Sequence, residues 1–249
     1  LEGKTFIVQG LGNVGYHAAK FMTEHGCRLV GVGEYEGAIY DANGIDLEAL
    51  VSHRKETGSV LGFGTAENIE HSRDILTRPC DILIPAALEA QITAANANDI
   101  QAKIIGEAAN GPITAEADEI LLKRGVMMIP DVYLNAGGVT VSYFEWLRNL
   151  SHVRFGRMSR RFEQSAQEHM LTAMEKLTGR AFDSEEKRQI AQGADEVTLV
   201  YSGLEETMVN AYQEIRETAR QKKVDLRTAA FVNAINKVAM SYTEMGIFP

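Results

Sequence analysis

A glycine-rich run constrains this sequence more than any other feature. Shortly after the apolar segment 5–8, the chain reads Gly10-Leu11-Gly12-Asn13-Val14-Gly15. The first glycine permits a tight turn from a strand into a helix, the second lets the backbone approach a pyrophosphate, and the third allows close helix–strand packing. The following helix would direct unpaired N–H groups and its positive dipole end towards phosphates. The run therefore predicts a dinucleotide-binding turn, although the same spacing alone also occurs in ordinary glycine turns.

The segments after the turn favour the dinucleotide interpretation. Apolar residues at helical spacing run from Val14 to Met22, and residues 29–32 form a second buried strand. Glu34 ends this strand about 20 residues after the last glycine, where an acidic side chain holds the adenosine ribose of NAD. A carboxylate there would repel the extra phosphate of NADP, so NAD is favoured and NADP stays possible. The alternative is that Glu34 is a solvated loop acid.

Composition excludes several classes of protein. With 249 residues, 45% of them hydrophobic, the chain can bury the core of one large domain or two small ones. A net charge of −9 argues against a nucleic-acid partner, which would require a basic surface. The sequence contains no apolar run of about 18 residues, the length that a membrane-spanning helix requires. We expect no membrane partner and a cytoplasmic location, or the mitochondrial matrix in a eukaryote, with Cys27 and Cys80 as buried free thiols.

Apolar segments that alternate with helical patterns predict an α/β fold. The expected class is a doubly wound, Rossmann-type, mostly parallel sheet followed by an all-helical C-terminal part. The segment 35–44 is glycine-rich and is expected to be irregular, whereas a short helix is expected from Leu47. Later strands are predicted at 81–87, 103–106 and 126–130, with a helix at 114–124.

The C-terminal part is predicted to consist of helices that begin at capping residues. Asn135 would cap a helix that places Val139 and Ser142 on one face. Later helix starts are predicted from the capping pairs Asp183/Glu186 and Ser202/Glu205. The predicted inward-facing residues are Phe162, Ala166, Met170, Met174 and Leu177 before Gly179, then Leu204, Met208, Ala211 and Ile215, and, after a cap at Asp225, Ala230, Ala234, Val238 and Tyr242.

Candidate binding residues follow the predicted strands, because ligands of parallel sheets collect at the carboxyl ends of the strands. These residues are Ala86, Ala87, Asn110 and Asn135. An asparagine amide both donates and accepts hydrogen bonds, but it also commonly satisfies its own turn or helix cap. The Ser142 hydroxyl could reach a substrate or bond back to the Gly138 carbonyl. The histidines and cysteines lack metal-ligand spacing, so no metal is expected.

Longer stretches of the sequence resemble the glutamate dehydrogenases. The resemblance is carried by Asn-Ala-Gly-Gly-Val-Thr-Val-Ser-Tyr-Phe-Glu-Trp at 135–146, Ala-Ala-Asn-Gly-Pro at 108–112 and Asp-Leu-Arg-Thr-Ala-Ala at 225–230. Leucine, valine and phenylalanine dehydrogenases share the Asn-Ala-Gly-Gly turn but not the Ser-Tyr-Phe-Glu-Trp continuation. The similarity covers essentially the whole chain.

The resemblance implies a role for each candidate. Gly10, Gly12, Asn13, Val14 and Gly15 would hold the pyrophosphate, and Glu34 the adenosine ribose. Ala86 and Ala87 would line the cofactor cleft, and Asn110 and Asn135 would position the nicotinamide half. Ser142 would bind the side-chain carboxylate of L-glutamate, and Val139 would pack against its methylenes. The implied reaction is oxidation of L-glutamate to 2-oxoglutarate and ammonia, with hydride transfer to NAD or NADP.

The resemblance also implies an organisation. The expected regions are a dinucleotide-binding domain at 1–150, a helical, antenna-like insertion at 151–201 and closing helices at 202–249. The catalytic residues would lie in a preceding N-terminal domain that is absent here, and the full enzyme would be a homohexamer. Asn210 and Gln213 replace arginines that bind regulatory nucleotides in animal enzymes, which makes such regulation doubtful. The alternatives are a non-catalytic nucleotide-binding or assembly module and a dehydrogenase of another amino acid.

Overall fold

A seven-stranded sheet is the main feature of the computed structural model, which describes residues 1–150, 155–183, 187 and 196–246. Its spatial order is β4-β3-β2-β1-β5-β6-β7. Strands β1, β2, β5, β6 and β7 are parallel, whereas β3 and β4 pair in antiparallel fashion at one edge. The strands are β1 Thr5–Gln9, β2 Arg28–Glu34, β3 Gly37–Tyr40, β4 Glu67–Ile69, β5 Ile82–Pro85, β6 Ile104–Gly106 and β7 Met127–Ile129.

Three of the described helices begin at side-chain caps. Asp46 accepts a hydrogen bond from the Ala49 N–H, Thr114 from the Ala117 N–H and Asp225 from the Thr228 N–H, as such residues do at helix starts. The α-helices are α1 Asn13–Glu24, α2 Leu47–Thr57, α3 Ala115–Lys123, α4 Asp131–Leu134, α5 Ala136–Leu150, α6 Phe155–Thr178, α7 Glu196–Lys222 and α8 Leu226–Met245, and Ser72–Thr77 form a 3-10 helix.

Both faces of the sheet are buried. Side chains alternate along a strand, so Phe6 and Ile7 of β1 lie on opposite faces. Phe6 belongs to a core that includes Leu50 of α2. Ile7 belongs to a second core that includes Leu121 of α3 and Ile75 of the 3-10 helix. The predicted doubly wound, mostly parallel sheet is therefore confirmed.

Two connections differ from the predicted alternation of strands and helices. The segment expected to be irregular contains β3, which pairs with β2 through a tight reversal at Gly37. Gly37 has φ +148°, and a Cβ there would lie 2.8 Å from the Ile69 carbonyl oxygen, so this glycine permits a hairpin and not a loose loop. Between β5 and β6 the chain forms turns in place of a helix, and Ile92 in this segment makes a parallel bridge with Ile113, which follows β6.

The chain divides into two compact units. One unit contains residues 1–136 and 212–249, and the other contains residues 137–211. The sequence-based division at 150 and 201 stays a prediction. In the second unit the backbone at Gly203 of α7 approaches the Phe144 ring of α5, since a Cβ there would lie 3.4 Å from Phe144 Cε2. The Ser202/Glu205 start was wrong, because α7 begins six residues earlier and places Ser202 inside it.

Several predicted inward-facing residues are exposed. Among the α6 side chains that the structure describes, Leu171 is buried, whereas the predicted residues face outward: Ala166, Met170, Met174 and Leu177, the last 87% exposed. The predicted stripe of α7 is correct, since Ile215 is buried and Leu204, Met208 and Ala211 are partly buried. In α8 Ala230 is buried, but Ala234, Val238 and Tyr242 are exposed, which contradicts the prediction. Neither Glu186 nor the Phe162 side chain lies within the described residues.

The cysteines are both free, but only one is fully buried. Cys27 is buried as predicted, whereas Cys80 is partly buried just before β5. Burial, reinforced by the charge of Asp81, raises the pKa of the Cys80 thiol to about 12, which leaves it protonated and unreactive at neutral pH. None of the described helices combines the length and the apolar character that crossing a membrane requires.

Candidate dinucleotide-binding site

The glycine turn lies where the strand order of the sheet reverses, at the end of β1. From β1 the chain crosses to β2 on one side, whereas β5 pairs with β1 on the other side and starts the second half of the sheet. Gly10 follows β1 and donates its N–H to the Gly33 carbonyl near the end of β2, at 2.7 Å. Ligands of open parallel sheets bind at this point, beyond the carboxyl ends of the strands.

Two glycines hold the turn against its neighbours. Gly10 has φ +92°, and a Cβ there would lie 2.9 Å from the Ala86 carbonyl oxygen and 3.0 Å from Ala87 Cα. A Cβ at Gly15 would lie only 1.7 Å from the Gly10 carbonyl oxygen. The structure thus brings the turn, the start of α1 and the Ala86–Ala87 segment together.

Gly12 borders open space on the side that a ligand would approach. A Cβ at this position would have no heavy atom within 4 Å, and Gly12, Asn13 and Val14 are all exposed. No side chain caps the start of α1, and its first turn contains no acidic residue. An uncapped helix start behind an open glycine is the arrangement that binds a pyrophosphate, so these residues fit a dinucleotide.

Glu34 is fixed in place. One carboxylate oxygen accepts the Leu11 N–H, and the other lies 3.2 Å from Nη2 of Arg54, which also donates through Nη1 to the Leu11 carbonyl at 2.8 Å. The Glu34 side chain is only 11% exposed, which argues against the alternative of a solvated loop acid. Arg54 was not among the predicted site residues, because α2 reaches the turn only through the tertiary fold.

The two candidate asparagines contact each other. Nδ2 of Asn135 donates to Oδ1 of Asn110 at 2.5 Å, which joins the loop after β6 to the end of α4. The helix predicted after Asn135 is present as α5, which begins at Ala136. Asn135 also ends the short helix α4, and its backbone has right-handed helical φ and ψ. Each amide keeps hydrogen-bonding capacity for a ligand.

A buried ion network supports these loops. Glu107 follows β6 with a fully buried side chain and accepts from Arg227 in the first turn of α8 and from the Asp131 N–H. Arg227 also pairs with Asp118 of α3 at 2.9 Å, and Asp131 accepts the Gly111 N–H at 2.8 Å. The network therefore connects the start of α8 with the loop that carries Asn110.

The charge of Arg227 is strongly favoured in this network. Burial alone would lower the pKa of Arg227, but the hydrogen bond and charge of Glu107, with a further contribution from Asp118, outweigh it and raise the pKa. Glu107 and Arg227 were not among the predicted site residues, because they are 120 positions apart. An acid directly after a buried strand was the available signal for Glu107.

The predicted substrate residues lie in the second unit, on α5. Val139 is 73% exposed, and the Ser142 hydroxyl donates to the Gly138 carbonyl at 3.0 Å. Ser142 therefore makes the local bond that was its alternative interpretation, yet it is exposed and can rotate. Within the described ranges, no group of three or more His, Cys, Asp or Glu side chains could hold a metal ion.

Glutamate dehydrogenases resemble this chain in sequence and in structure. The chain is 51% identical over 246 residues to the mitochondrial glutamate dehydrogenase of Dictyostelium discoideum, covering 99% of this chain and 49% of that protein. Glutamate dehydrogenase of Peptoniphilus asaccharolyticus has a similar structure (TM-score 0.66, 27% identity, 100% of this chain and 48% of that chain). The hetero-hexameric glutamate dehydrogenase of Thermus thermophilus shares the fold (TM-score 0.68, 23% identity, 100% and 49%).

The chain spans about half the length of the relatives it matches. Residues 1–200 match the model of one family, Glutamate/Leucine/Phenylalanine/Valine dehydrogenase. This match includes the glycine turn, Glu34, both asparagines and α5. The chain belongs to the Glutamate/Leucine/Phenylalanine/Valine dehydrogenase family.

Proposed function

We propose that this chain is the cofactor-binding part of a glutamate dehydrogenase, which converts L-glutamate to 2-oxoglutarate and ammonia with hydride transfer to NAD or NADP. The contact of Gly10 with Ala86 and Ala87 at the switch point of the sheet, beside the open Gly12, carries the proposal. A doubly wound sheet binds dinucleotides at this point. The substrate is inferred from the names of the relatives and from the Ser-Tyr-Phe-Glu-Trp segment after Gly138.

The geometry supports a binding role for each candidate residue. The N–H groups at the start of α1 would bind the pyrophosphate, with Gly12 leaving room for its approach. Glu34 would accept hydrogen bonds from the adenosine ribose, since each of its oxygens can accept more than one. The paired amides of Asn110 and Asn135 would orient the nicotinamide half. The bound cofactor supplies the acceptor for the hydride.

The substrate would be held partly by α5. We propose that the Ser142 hydroxyl turns from the Gly138 carbonyl to donate to the distal carboxylate of glutamate, while the exposed Val139 packs against its methylenes. The acid–base groups would lie in the remaining half of the enzyme. The chain alone should therefore bind cofactor without oxidising glutamate, because the reacting groups are brought together only in the complete enzyme.

Assembly into a homohexamer is part of the same proposal. Ile235, Val238 and Tyr242 of α8 are each more than half exposed in the isolated chain, and such an apolar surface is typical of an interface. The Thermus thermophilus relative is described as a hetero-hexamer. The proposed location is the cytoplasm, or the mitochondrial matrix in a eukaryote, and the name of the Dictyostelium discoideum relative describes that protein as mitochondrial.

A fusion enzyme tests the function. The chain is joined behind the first half of the Dictyostelium discoideum relative, and reduced cofactor is followed by absorbance with glutamate as substrate. We expect turnover from the fusion and none from the chain alone. Failure of a folded fusion that binds NADH to oxidise glutamate, or a clear preference for leucine or another amino acid, would contradict the proposal.

Ser142→Ala in the fusion tests the substrate contact. Losing a hydrogen bond to a charged group should raise the KM for glutamate at least about tenfold. Thr172→Ala is the matched control, because Thr172 on α6 makes the same type of bond to the Glu168 carbonyl and has no proposed role. An unchanged KM in Ser142→Ala would remove Ser142 from the substrate site.

A further inference from the structure

Asp131 connects the two loops that carry the candidate asparagines. Its Oδ2 accepts the N–H of Gly111, the residue directly after Asn110, at 2.8 Å. Its carbonyl oxygen accepts the Asn135 N–H at 3.1 Å, and Nδ2 of Asn135 in turn donates to Oδ1 of Asn110. One residue therefore holds the backbone beside both of the amides that would orient the nicotinamide.

Hydrogen bonds, and not packing, fix the tip of the loop that carries Asn110. Asn110 and Gly111 are both exposed, and a Cβ at Gly111 would have no heavy atom within 4 Å. The Gly111 N–H donates to the Asp131 carboxylate, and the Gly111 carbonyl accepts the Ala90 N–H at 2.9 Å. A hydrogen bond to an ionised group is stronger than one between neutral groups. The Asp131 carboxylate is therefore the stronger of the two anchors of this tip.

Asp131 is itself held by the ion pair of Glu107 and Arg227. Its N–H donates to Oε2 of the fully buried Glu107 at 2.8 Å, and Nη1 of Arg227 lies 3.5 Å from its Oδ1. The same Oδ1 accepts the Val132 N–H at 2.7 Å, and the Asp131 side chain is only 22% exposed. A network in which every group is hydrogen-bonded is rigid. The carboxylate is therefore in position before any ligand binds.

We propose that Asp131 is a positioning residue for the nicotinamide half of the cofactor, and that Glu107 and Arg227 act through it. The inference rests on the proposed function, because it assumes that Asn110 and Asn135 orient the nicotinamide. Groups that bind a ligand by hydrogen bonds must be held close to their productive geometry by the contacts behind them. Asp131 supplies such contacts to both amides, so its loss should weaken the binding of the nicotinamide and not of the adenosine half.

Paired titrations of the chain with NADH and ADP-ribose test this role, because ADP-ribose is the same molecule without the nicotinamide. NADH is followed by its fluorescence and ADP-ribose by calorimetry. We expect the wild-type chain to bind NADH at least about tenfold more tightly than ADP-ribose. Asp131→Ala should weaken NADH at least about fivefold and ADP-ribose less than about twofold. A merely structural defect would weaken both ligands alike.

Two further variants keep the test independent of folding. Asp131→Asn preserves the shape of the side chain and one acceptor oxygen, so it decides the test if Asp131→Ala does not fold, and it should weaken NADH about threefold. Asp81→Ala is the matched control. Asp81 is 24% exposed, accepts the Thr5 N–H at 3.1 Å and pairs with Lys103 at 3.0 Å, but it precedes β5 at the opposite edge of the sheet. This control should leave both affinities within about twofold of wild type.

The outcomes separate the positioning role from the proposed function. If the wild-type chain binds no NADH, the proposed function fails and the positioning role fails with it. If the wild-type chain binds NADH, three results overturn the positioning role alone. These are equal affinities for NADH and ADP-ribose, an unchanged ratio of the two affinities in the folded Asp131 variants, and an equal change of this ratio in Asp81→Ala.

Discussion

The glycine turn and the second half of α8 differ in how completely this chain surrounds them. Gly10 and Gly15 are in such close contact with backbone atoms that no Cβ would fit. In α8, by contrast, the predicted apolar stripe begins buried at Ala230 and ends exposed at Tyr242. An apolar pattern predicts that one face of a helix will be buried. Only the tertiary structure shows whether the residues that bury it belong to the same chain.

Gly15→Ala tests the close packing at the glycine turn and should have the largest effect on stability. Alanine normally stabilises a helix interior relative to glycine, but here its Cβ would clash with the Gly10 carbonyl. We expect a loss of about 4 kcal/mol or more in the free energy of unfolding, measured by urea denaturation. Gly12→Ala is the control, because its Cβ would meet open space. Equal stability of the two variants would contradict the contact.

Arg227→Met tests the point where α8 joins the sheet. The substitution leaves the fully buried Glu107 without its cation, which should cost about 3–5 kcal/mol in the free energy of unfolding. Adding Glu107→Gln should recover part of the loss, since the uncompensated charge is then gone. A stability within about 0.5 kcal/mol of wild type would show that the network does not hold this end of α8.

Alanine substitutions of one buried and one exposed isoleucine compare the stability contributions of the two regions. Ile7→Ala removes a fully buried side chain of β1 from the core that also contains the 3-10 helix, and it should lower the free energy of unfolding by about 2–5 kcal/mol. Ile235→Ala truncates a side chain that is 64% exposed and should change it by less than about 0.5 kcal/mol. A large loss from Ile235→Ala in denaturation of the chain alone would mean that α8 is already covered.

The smallest effect on stability is expected at Asp81, which directly precedes β5. The hydrogen bond from Lys103 and the Thr5 N–H lower the pKa of Asp81 to about 2. A carboxyl group with a lowered folded-state pKa stabilises the fold above its unfolded pKa of about 3.9, and this contribution disappears as the pH falls towards 2. Asp81→Asn should therefore lower the Tm at neutral pH but not near pH 2.

Lys103→Met, which removes the partner of Asp81, should show the same pH dependence. Thermal unfolding followed by circular dichroism across this pH range measures both variants. A Tm difference between wild type and Asp81→Asn that stays constant with pH would contradict the ionic contribution.

Local patterns predicted much of the fold. The buried strands were evident from short apolar runs, and Thr114 and Asp225 marked helix starts because capping depends only on neighbouring residues. The hairpin at Gly37 was missed because glycine-rich sequence fits a loop and a tight reversal equally well. The helix start predicted at Ser202 was wrong because its capping pattern lies inside a longer helix.

The candidate site was predictable only where it depends on nearby residues. The glycine turn and Glu34 belong to one strand-turn-helix-strand unit, so their spacing indicated them. Arg54 and Arg227 approach the site from helices elsewhere in the chain, and the Asn110–Asn135 contact depends on the placement of two loops. No local pattern records such contacts, because they depend on how the elements pack together.

The most direct measurement is a titration of the chain with NADH, followed by nicotinamide fluorescence, for wild type and Gly12→Val. The valine side chain would fill the open space at the turn while leaving the fold intact. We expect saturable binding by the wild-type chain and at least about a tenfold loss of affinity in the folded variant. No saturable binding by the wild-type chain, or equal affinity in the two proteins, would contradict the claim that this turn binds a dinucleotide.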